Sequence, residues 1–600
     1  MTALKRWTTR RSDPSVQRHL ERTAHVSPLI AALLAARGIC TPDAAEKFFQ
    51  HPKKDLKGIR EPELLPGCKE VAGILWKAVQ NRKKIVIYGD YDADGITGIV
   101  ILFQALKALG SNVKYYIPHR IDEGYGLNSE AVEKLAKDGT ELIITVDCGI
   151  RSVNEAETAK KCGIQLLITD HHTPEPVLPD AAAIAHPALV RFNGKLAAPS
   201  TLSPEQLEQA EKYPCPFLCG AAVALKTAWA VGQLANDGFG KPVSAPFREL
   251  LKELLGLTAM ATIADFVPLL EENRSLVRGG LPFLLHTGSS GLKDLFAAAK
   301  FGEKKTSLTT EFVAFQLVPR INAAGRLGQA EFAVELLTSP DAERTKTLAG
   351  ELDRLNEQRK STERQILHEA EQMIREKCNS DDPAFVLASD WHRGVIGIAA
   401  GRLADKFHRP VILFGTDKMG LSPAVGSARS VAGFDLYTAL LDCREHLIRF
   451  GGHPAAAGVT AETKQIDAFR KAFCEAVARR IPPEERVAEL IIDGFFPLSA
   501  FTPQTVGQIL QLAPFGSENP SPVFAAEQVT VKNAKTMGKE GTHFTAEFQQ
   551  GRTSFRGVAF HRSEWTESMQ PFHTPLDIAF RAKKNDYNGN VELEILDWRR

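Results

Sequence analysis

Val86-Ile87-Tyr88-Gly89-Asp90-Tyr91-Asp92-Ala93-Asp94-Gly95 is the stretch whose reading decides the fold. It opens as an apolar run with β-branched residues, the pattern of a buried strand. It ends in three carboxylates at alternate positions, followed by glycine and an apolar helical pattern from Ile96 to Leu109. Three acids this close repel one another and cost desolvation energy unless cations neutralise them. A turn after Asp90 would gather them in one loop at the strand's carboxyl end, where open α/β sheets bind ligands. A solvated acidic turn accounts equally well for an isolated Asp-x-Asp, so the surrounding chain must discriminate.

Outward from this stretch, residues from about 71 to 190 repeat a strand–helix rhythm. Ile85–Tyr88, Val113–Pro118, Leu142–Val146 and Leu166–Thr169 are short apolar runs, and Ser129–Lys137 and Asn154–Cys162 between them have helical spacing. Gly163 suits the C-terminal cap of the second helix. The alternation predicts βαβ units and a mostly parallel sheet. The residues directly after each run carry the information. The first run gives Asp90, Asp92 and Asp94, the third runs into Asp147, and the last into Asp170-His171-His172. A parallel sheet brings such ends into one crevice. Further on, Asp265 is a lone carboxylate in the apolar run from Leu254 to Leu269. It needs a metal, a partner or solvent at a helix end.

Residues 341–377 form a charged stretch without proline in which Leu348, Leu352, Leu355, Ile366, Ala370 and Met373 fall at helical spacing. A helix of ~35 residues would reach ~50 Å, enough to join two domains. A second α/β pattern comes after it: strand Ala384–Ala388, helix Gly394–Phe407, strand Pro410–Phe414. Ser427-Ala428-Arg429-Ser430 and the run from Gly451-Gly452-His453 to Gly458 come next. Clustered glycines beside Arg429 and His453 suit an anion such as phosphate, or else tight helix–loop packing.

From about 485 the pattern is that of a small β domain, with alternating runs and Asn588-Gly589 as a hairpin turn. Lys532, Lys535, Lys539, Arg552, Arg556, Arg562, Arg581, Lys583 and Lys584 interleave with Phe544, Phe555, Trp565 and Tyr587. Basic groups with aromatics suit single-stranded nucleic acid, and a solvated sheet over an aromatic core accounts for many of the same residues. Residues 1–70 read as a helical extension, with Thr41-Pro42-Asp43 as a helix start. The expected division is therefore 1–70, a first α/β domain over 71–340, the connecting helix over 341–378, a second α/β domain over 379–480, and a β-barrel over 485–600.

The chain has 600 residues, 44% of them hydrophobic, and a net charge of +1, so a nucleic-acid partner must be held by a local groove. Nine scattered cysteines argue against a disulfide framework and suit a reducing, cytoplasmic setting. Cys215 and Cys219 resemble half a zinc site, but no second pair matches them. No apolar run is long enough to span a bilayer.

Together Asp90, Asp92, Asp94, Asp147, His171, His172 and Asp265 supply five carboxylates and two imidazoles. Oxygen-rich sets suit Mg²⁺ or Mn²⁺, and imidazole tilts the choice towards Mn²⁺. Two such ions ~3.5–4 Å apart, sharing a carboxylate, form a device for attacking a phosphodiester. His172 could stabilise the transition state or assist proton transfer.

In their order along the chain, Asp92-x-Asp94, Asp147, Asp170-His171-His172 and Asp265 resemble the DHH phosphoesterase superfamily. The Gly451–Gly458 run resembles its DHHA1 companion domain. With the additional Asp90, the bridging stretch and the β-rich end, residues 70 to 600 resemble the branch that degrades single-stranded DNA from the 5′ end. The implied architecture is an α/β parallel-sheet DHH domain joined by a long helix to a DHHA1 α/β domain, plus an OB-like β-barrel. The resemblance implies one Mn²⁺ or Mg²⁺ on Asp94, Asp147, His171 and Asp265 and a second on Asp90, Asp92 and the bridging Asp147. It places His172 at the scissile phosphate and gives Asp170 an orienting role. It also implies a 5′-phosphate site from Arg120, Arg326 (in Asn322-Ala323-Ala324-Gly325-Arg326), Ser427, Arg429, Gly451, Gly452 and His453. DHH pyrophosphatases carry histidine where this chain has Tyr88, which counts against that activity.

The expected function is a metal-dependent 5′→3′ exonuclease on single-stranded DNA, releasing 5′-mononucleotides in recombination and repair. Single-strand binding protein and a RecQ-like helicase are the partners the resemblance suggests. A monomer is expected, because the cleft is built within one chain. The alternatives are a phosphodiesterase for short oligonucleotides or cyclic dinucleotides, and a non-catalytic single-strand-binding scaffold.

Overall fold

The computed structural model describes residues 5–600 except 50–55, 121–122, 303–306, 380, 418–421, 483–485, 539–540, 573 and 586–588. Two units are present. The larger comprises Leu56–Val267 and Glu271–Arg486, and the smaller comprises Met1–Asp55, Pro268–Leu270 and Val487–Arg600.

In the larger unit, the strands Val113–Tyr116, Ile85–Gly89, Leu142–Val146, Gln165–Thr169 and Ala183–Ala185 form, in that order, a five-stranded parallel sheet. Ile85–Gly89 and Leu142–Val146 are buried throughout. Covered on both faces, they have no reason to alternate with polar residues. The register sets Gly89 opposite Val146 and Val146 opposite Thr169. Asp90, Asp147 and Asp170 therefore leave the sheet at one level. Helices Gly220–Asn236 and Ala245–Ala264 pack on Ala93–Ala108, the helix that follows the first acidic turn.

The connecting helix runs from Ala342 to Lys377, 36 residues, or ~54 Å at ~1.5 Å per residue. The Asp341 carboxylate caps it by accepting the Glu343 and Arg344 N–H groups. Leu348, Leu352, Leu355, Ile366 and Ala370 form its buried stripe, while Met373 is partly buried. Its first half packs against Val318–Arg326 and its later part against Ile396–Phe407 of the second α/β domain. That domain holds a mixed sheet in the order Phe385–Ser389, Val411–Gly415, Ala424–Arg429, Ala456–Ala461, Arg449–His453, parallel only in its first pair.

The smaller unit is a closed barrel. Phe524–Met537, His543–Gln550, Thr553–Ala559, Val591–Arg599 and Leu576–Lys584 follow one another, and the last pairs back onto the first. Phe524, Phe544, Phe548 and Phe580 fill it, in one apolar cluster with Leu20, Leu29, Ile30, Leu33, Leu34 and Phe48.

Two expectations are corrected here. The N-terminal segment is not purely helical: Arg6–Thr9 is a strand, pairing in parallel with Glu489–Ile492. Its partner lies at the far end of the sequence, so no local pattern announces it. The interleaved aromatics of the barrel are not all available for stacking, because Phe544 and Trp565 are core residues. Nor are all the cations free, since Arg556 pairs with Glu592 and Lys583 with Glu594. Lys539, Tyr587 and Asn588 of the expected hairpin lie outside the described residues.

Candidate active site

After the strand Ile85–Gly89 the chain turns, and Asp92 becomes the N-cap of the helix Ala93–Ala108. Its carboxylate accepts the Asp94 N–H at 2.9 Å and the Gly95 N–H at 3.1 Å. The turn is tight, because a Cβ on Gly95 would lie 2.5 Å from the Asp90 carbonyl oxygen. The Ala93 N–H is taken by Asn322 Oδ1 at 2.7 Å. The Asp94 carboxylate accepts the Gly220 and Ala221 N–H groups at 2.6 and 2.8 Å. These open the helix Gly220–Asn236, whose positive end favours an anion.

Asp147, after the third strand in sequence, sits at φ 60°, a conformation uncommon outside glycine. A Cβ on Gly220 would lie 2.6 Å from the Asp147 Cβ, so glycine alone admits the helix start there. Asp170 accepts from the backbone N–H groups of Ile150, His171 and His172, and its Oδ1 lies 2.8 Å from His172 Nδ1. Asp265 is the C-cap of the helix Ala245–Ala264.

These side chains converge. Ligand atoms of Asp94, His171 and Asp265 lie within 4.8 Å of one another, as do those of Asp90, Asp92 and Asp147, and those of Asp147, His171 and His172. Asp147 thus belongs to two groups. His171 Nε2 is 3.0 Å from Asp147, 3.6 Å from Asp265 and 3.7 Å from Asp94. Asp90 Oδ1 is buried without a hydrogen-bond partner, and so are Asp147 Oδ1 and His171 Nε2, whose 3.0 Å contact lacks hydrogen-bond geometry; this costs free energy unless something else satisfies them.

Charge repulsion is equally plain. Burial first, and then the neighbouring carboxylates, push Asp90, Asp147 and Asp265 well above the usual range. The same causes push Asp94 up to about 7. Burial and the His172 charge lower His171 to about 3, leaving the neutral imidazole that a metal requires. Burial also acts to lower His172, but the hydrogen bond and charge of Asp170 outweigh it and raise the pKa. Burial acts upward on Asp170, yet the three histidines around it hold it well below the carboxylate range. Oxygen-rich, with one or two imidazoles and no thiolate, the donor set fits Mg²⁺ or Mn²⁺.

Cationic groups gather beside the acids. The Arg120 guanidinium lies 4.7 Å from the centre of the ring of Tyr91, the residue between Asp90 and Asp92. Arg326 donates to the Gly394 carbonyl at 3.3 Å, and Arg429 donates to Ser427 Oγ and to the Ala428 carbonyl. Burial, then the charges of Arg120 and Arg429, lower Arg326 to about 9, so it stays cationic at neutral pH. Among the described residues, the hydrogen-bond and ring partners of all three arginines are neutral. The sheet register aligns the remaining residues: Ser427 and Gly451 flank Gly458, and Arg429 and His453 flank Ala456. Burial, and then the charges of Arg151 and His172, lower His453, so the end of this strand lies in the electrostatic field of the parallel-sheet domain.

Four contributors carry no clear signal in the sequence. Tyr125 has its hydroxyl 3.1 Å from the His172 ring and from the Asp147 carbonyl oxygen. Its one sequence signal is the pair of glycines flanking it. The Gly220–Ala221 amides and Asn322 also support the acids, through contacts between distant segments, and Tyr91 carries Arg120 over its ring.

Among the described residues no helix is long and apolar enough to cross a membrane. Residues 84–262 match the DHH family, N-terminal domain; 381–479 match the DHHA1 domain; and 492–596 match the RecJ OB domain. The chain is 35% identical over 593 residues to the single-stranded-DNA-specific exonuclease RecJ of Bacillus subtilis, covering 98% of this chain and 70% of that one. It is 32% identical over 591 residues to the Escherichia coli protein of that name, covering 96% of each. The crystal structure of RecJ in complex with Mn²⁺ from Thermus thermophilus is similar at a TM-score of 0.79 and 30% identity, covering 99% of this chain and 79% of that one. This coverage takes in the first 70 residues, which the sequence motifs alone leave outside the resemblance. Acids at three strand ends, a paired DHHA1 domain, an OB barrel and near-full-length likeness converge on one assignment: the chain belongs to the RecJ family of DHH exonucleases.

Proposed function

We propose that the protein is a metal-dependent exonuclease that removes 5′-mononucleotides from single-stranded DNA, starting at the 5′ end. One observation carries the reading. A cluster of carboxylates in need of cations lies beside three arginines in need of an anion, one of them against the ring of Tyr91 in the acidic turn. Asp94, Asp147, His171 and Asp265 would hold one Mn²⁺ or Mg²⁺, and Asp90, Asp92 and Asp147 the other. Bound there, the ions would make water nucleophilic at neutral pH and neutralise charge on the scissile phosphate.

The chain's own groups would do the rest. Arg120, Arg326 and Arg429, with Ser427 and the Gly451-Gly452-His453 edge, would hold the terminal 5′-phosphate through charge-assisted hydrogen bonds. Clamping that end fixes which phosphodiester reaches the acids, and so gives the direction of cutting. His172, its proton affinity raised by Asp170 and its ring steadied by Tyr125, would donate a hydrogen bond to the phosphate or move a proton there. The barrel would hold the incoming strand, as the match to the RecJ OB domain supports. Work in recombination and repair, a cytoplasmic location, a monomeric state, and cooperation with single-strand binding protein and a RecQ-like helicase complete the reading. Its support is the family membership and the Mn²⁺ in the Thermus relative.

The test is degradation of end-labelled oligonucleotides with Mn²⁺ or Mg²⁺, comparing 5′-phosphorylated single strand, blunt duplex, dinucleotides and cyclic dinucleotides, with Asp147→Ala as control. Mononucleotides from the 5′ end of single strand alone, lost in the variant, are expected. Activity restricted to the small substrates would refute the assignment.

A further inference from the structure

The Ala93 N–H stands at the centre of the acidic turn, between Asp92 and Asp94. The Asp92 carboxylate already accepts from Asp94 and Gly95, so the Ala93 N–H needs an acceptor from elsewhere. Asn322 supplies it with its amide oxygen at 2.7 Å. Asn322 lies on the helix Val318–Arg326, one turn before Arg326 at that helix's end.

This helix is fastened on every side. Arg320, buried, donates to Asp353 of the connecting helix at 3.0 Å and to the Ala298 carbonyl at 3.1 Å. A Cβ on Gly325 would lie 2.0 Å from the Tyr91 carbonyl oxygen, and one on Gly394 would lie 2.4 Å from the Arg326 carbonyl oxygen. Such approaches leave no room for relative sliding. The acidic turn, the arginine pocket and the second α/β domain thus meet on one short helix.

We propose that Asn322 is a positioning residue: its amide oxygen locks the Asp92-Ala93-Asp94 turn to the helix that carries Arg326, so one rigid element sets the spacing between the acid cluster and the arginine pocket. The inference rests on the exonuclease reading for its kinetic consequence. If the 5′ end is clamped at Arg326, that spacing is what makes each cut remove one nucleotide. Residues behind metal ligands typically change metal affinity or activity by about 10- to 100-fold when altered.

The experiment compares the full-length wild type with Asn322→Ala and Asn322→Asp, the second of which keeps the acceptor oxygen. Mn²⁺ affinity is measured by calorimetry, and the label released from a 5′-³²P single strand is resolved by length. Asn322→Ala should weaken Mn²⁺ binding about tenfold and release labelled dinucleotide beside mononucleotide. It should lower kcat by about tenfold or more with KM nearly unchanged, and Asn322→Asp should return Mn²⁺ affinity to within about threefold of wild type. Wild-type affinity and product length in Asn322→Ala, or an Asn322→Asp protein as impaired as the alanine variant, would overturn the proposal. Should Asn322→Ala not fold, Asn322→Gln, whose oxygen is displaced by one methylene, takes its place against Asn322→Asp with the same criteria. A wild-type protein that binds Mn²⁺ yet leaves single strand intact refutes the exonuclease reading instead, while the calorimetric comparison still decides the role of Asn322.

Discussion

Asp147 combines a positive φ, burial, an unpartnered Oδ1 and the repulsion of Asp94, Asp92, Asp265 and Asp90. Strain of this kind persists where function requires it. Asparagine tolerates the same backbone conformation and removes one negative charge. Asp147→Asn should therefore match or exceed the wild type in metal-free thermal stability while losing activity by a factor on the order of a hundred or more. A variant that loses stability along with activity would count against a functional origin of the strain. The acids also set a pH dependence. Asp94 rises to about 7 in the metal-free fold, against ~3.9 in an unfolded chain. Between those values the folded state holds the extra proton, so stability falls as pH rises through this window. Divalent ions reverse the penalty because they bind the ionised form. The gain in melting temperature from saturating Mn²⁺ over EDTA should be larger at pH 8 than at pH 5, by about 5 °C or more. Equal gains at the two pH values would contradict this account.

At the scale of elements, the three strand ends were legible because a parallel sheet needs apolar runs and the acids follow them directly. The helix Gly220–Asn236 was not legible as part of the site, since its contribution is backbone N–H groups and the absence of a side chain at Gly220. Gly220→Ala should press a methyl group on Asp147 and spoil the cluster, weakening Mn²⁺ binding by about tenfold or more in a calorimetric titration. The strand Ala424–Arg429 carries Ser427 and Arg429, two of the residues proposed to hold the terminal phosphate. If Arg429 holds the terminal phosphate, Arg429→Ala should reduce cleavage of 5′-phosphorylated strand by about 10- to 100-fold. It should have far less effect on a strand ending in 5′-hydroxyl, and loss of both to the same degree would argue for a structural role. The connecting helix was legible from its charged, proline-free helical spacing, and the structure adds the Asp341 cap.

Across the whole molecule, the two chain ends form one unit, and the large apolar side chains Leu20, Leu29, Ile30, Leu33, Leu34 and Phe48 belong to the barrel's own cluster. At ~2 kcal/mol for each such buried side chain, their removal forfeits on the order of ten kcal/mol, comparable to the stability of an entire domain. Deleting residues 1–55 should therefore give a protein that aggregates or melts far below the full chain, rather than one that merely lacks an appendage. Normal solubility and melting temperature after the deletion would show the contact to be dispensable. Buried Asp493, 3.7 Å from Arg37 and 3.9 Å from Arg10, ties the same ends by charge.

By itself the sequence determined the α/β class, the order of the domains, the acids and histidines that converge in the candidate site, and the oxygen-rich chemistry they offer. Each of these is written in local patterns: apolar runs, the acids that follow them, and helical spacing. Only the tertiary structure decided that Asn322, Tyr125 and the Gly220 amide serve the cluster. It alone decided that Phe544 and Trp565 are core rather than a stacking surface, and that the first strand pairs with a segment near the other end of the chain. These are contacts between residues far apart in sequence. Close packing fixes them, and no local periodicity records which distant backbone a side chain will meet.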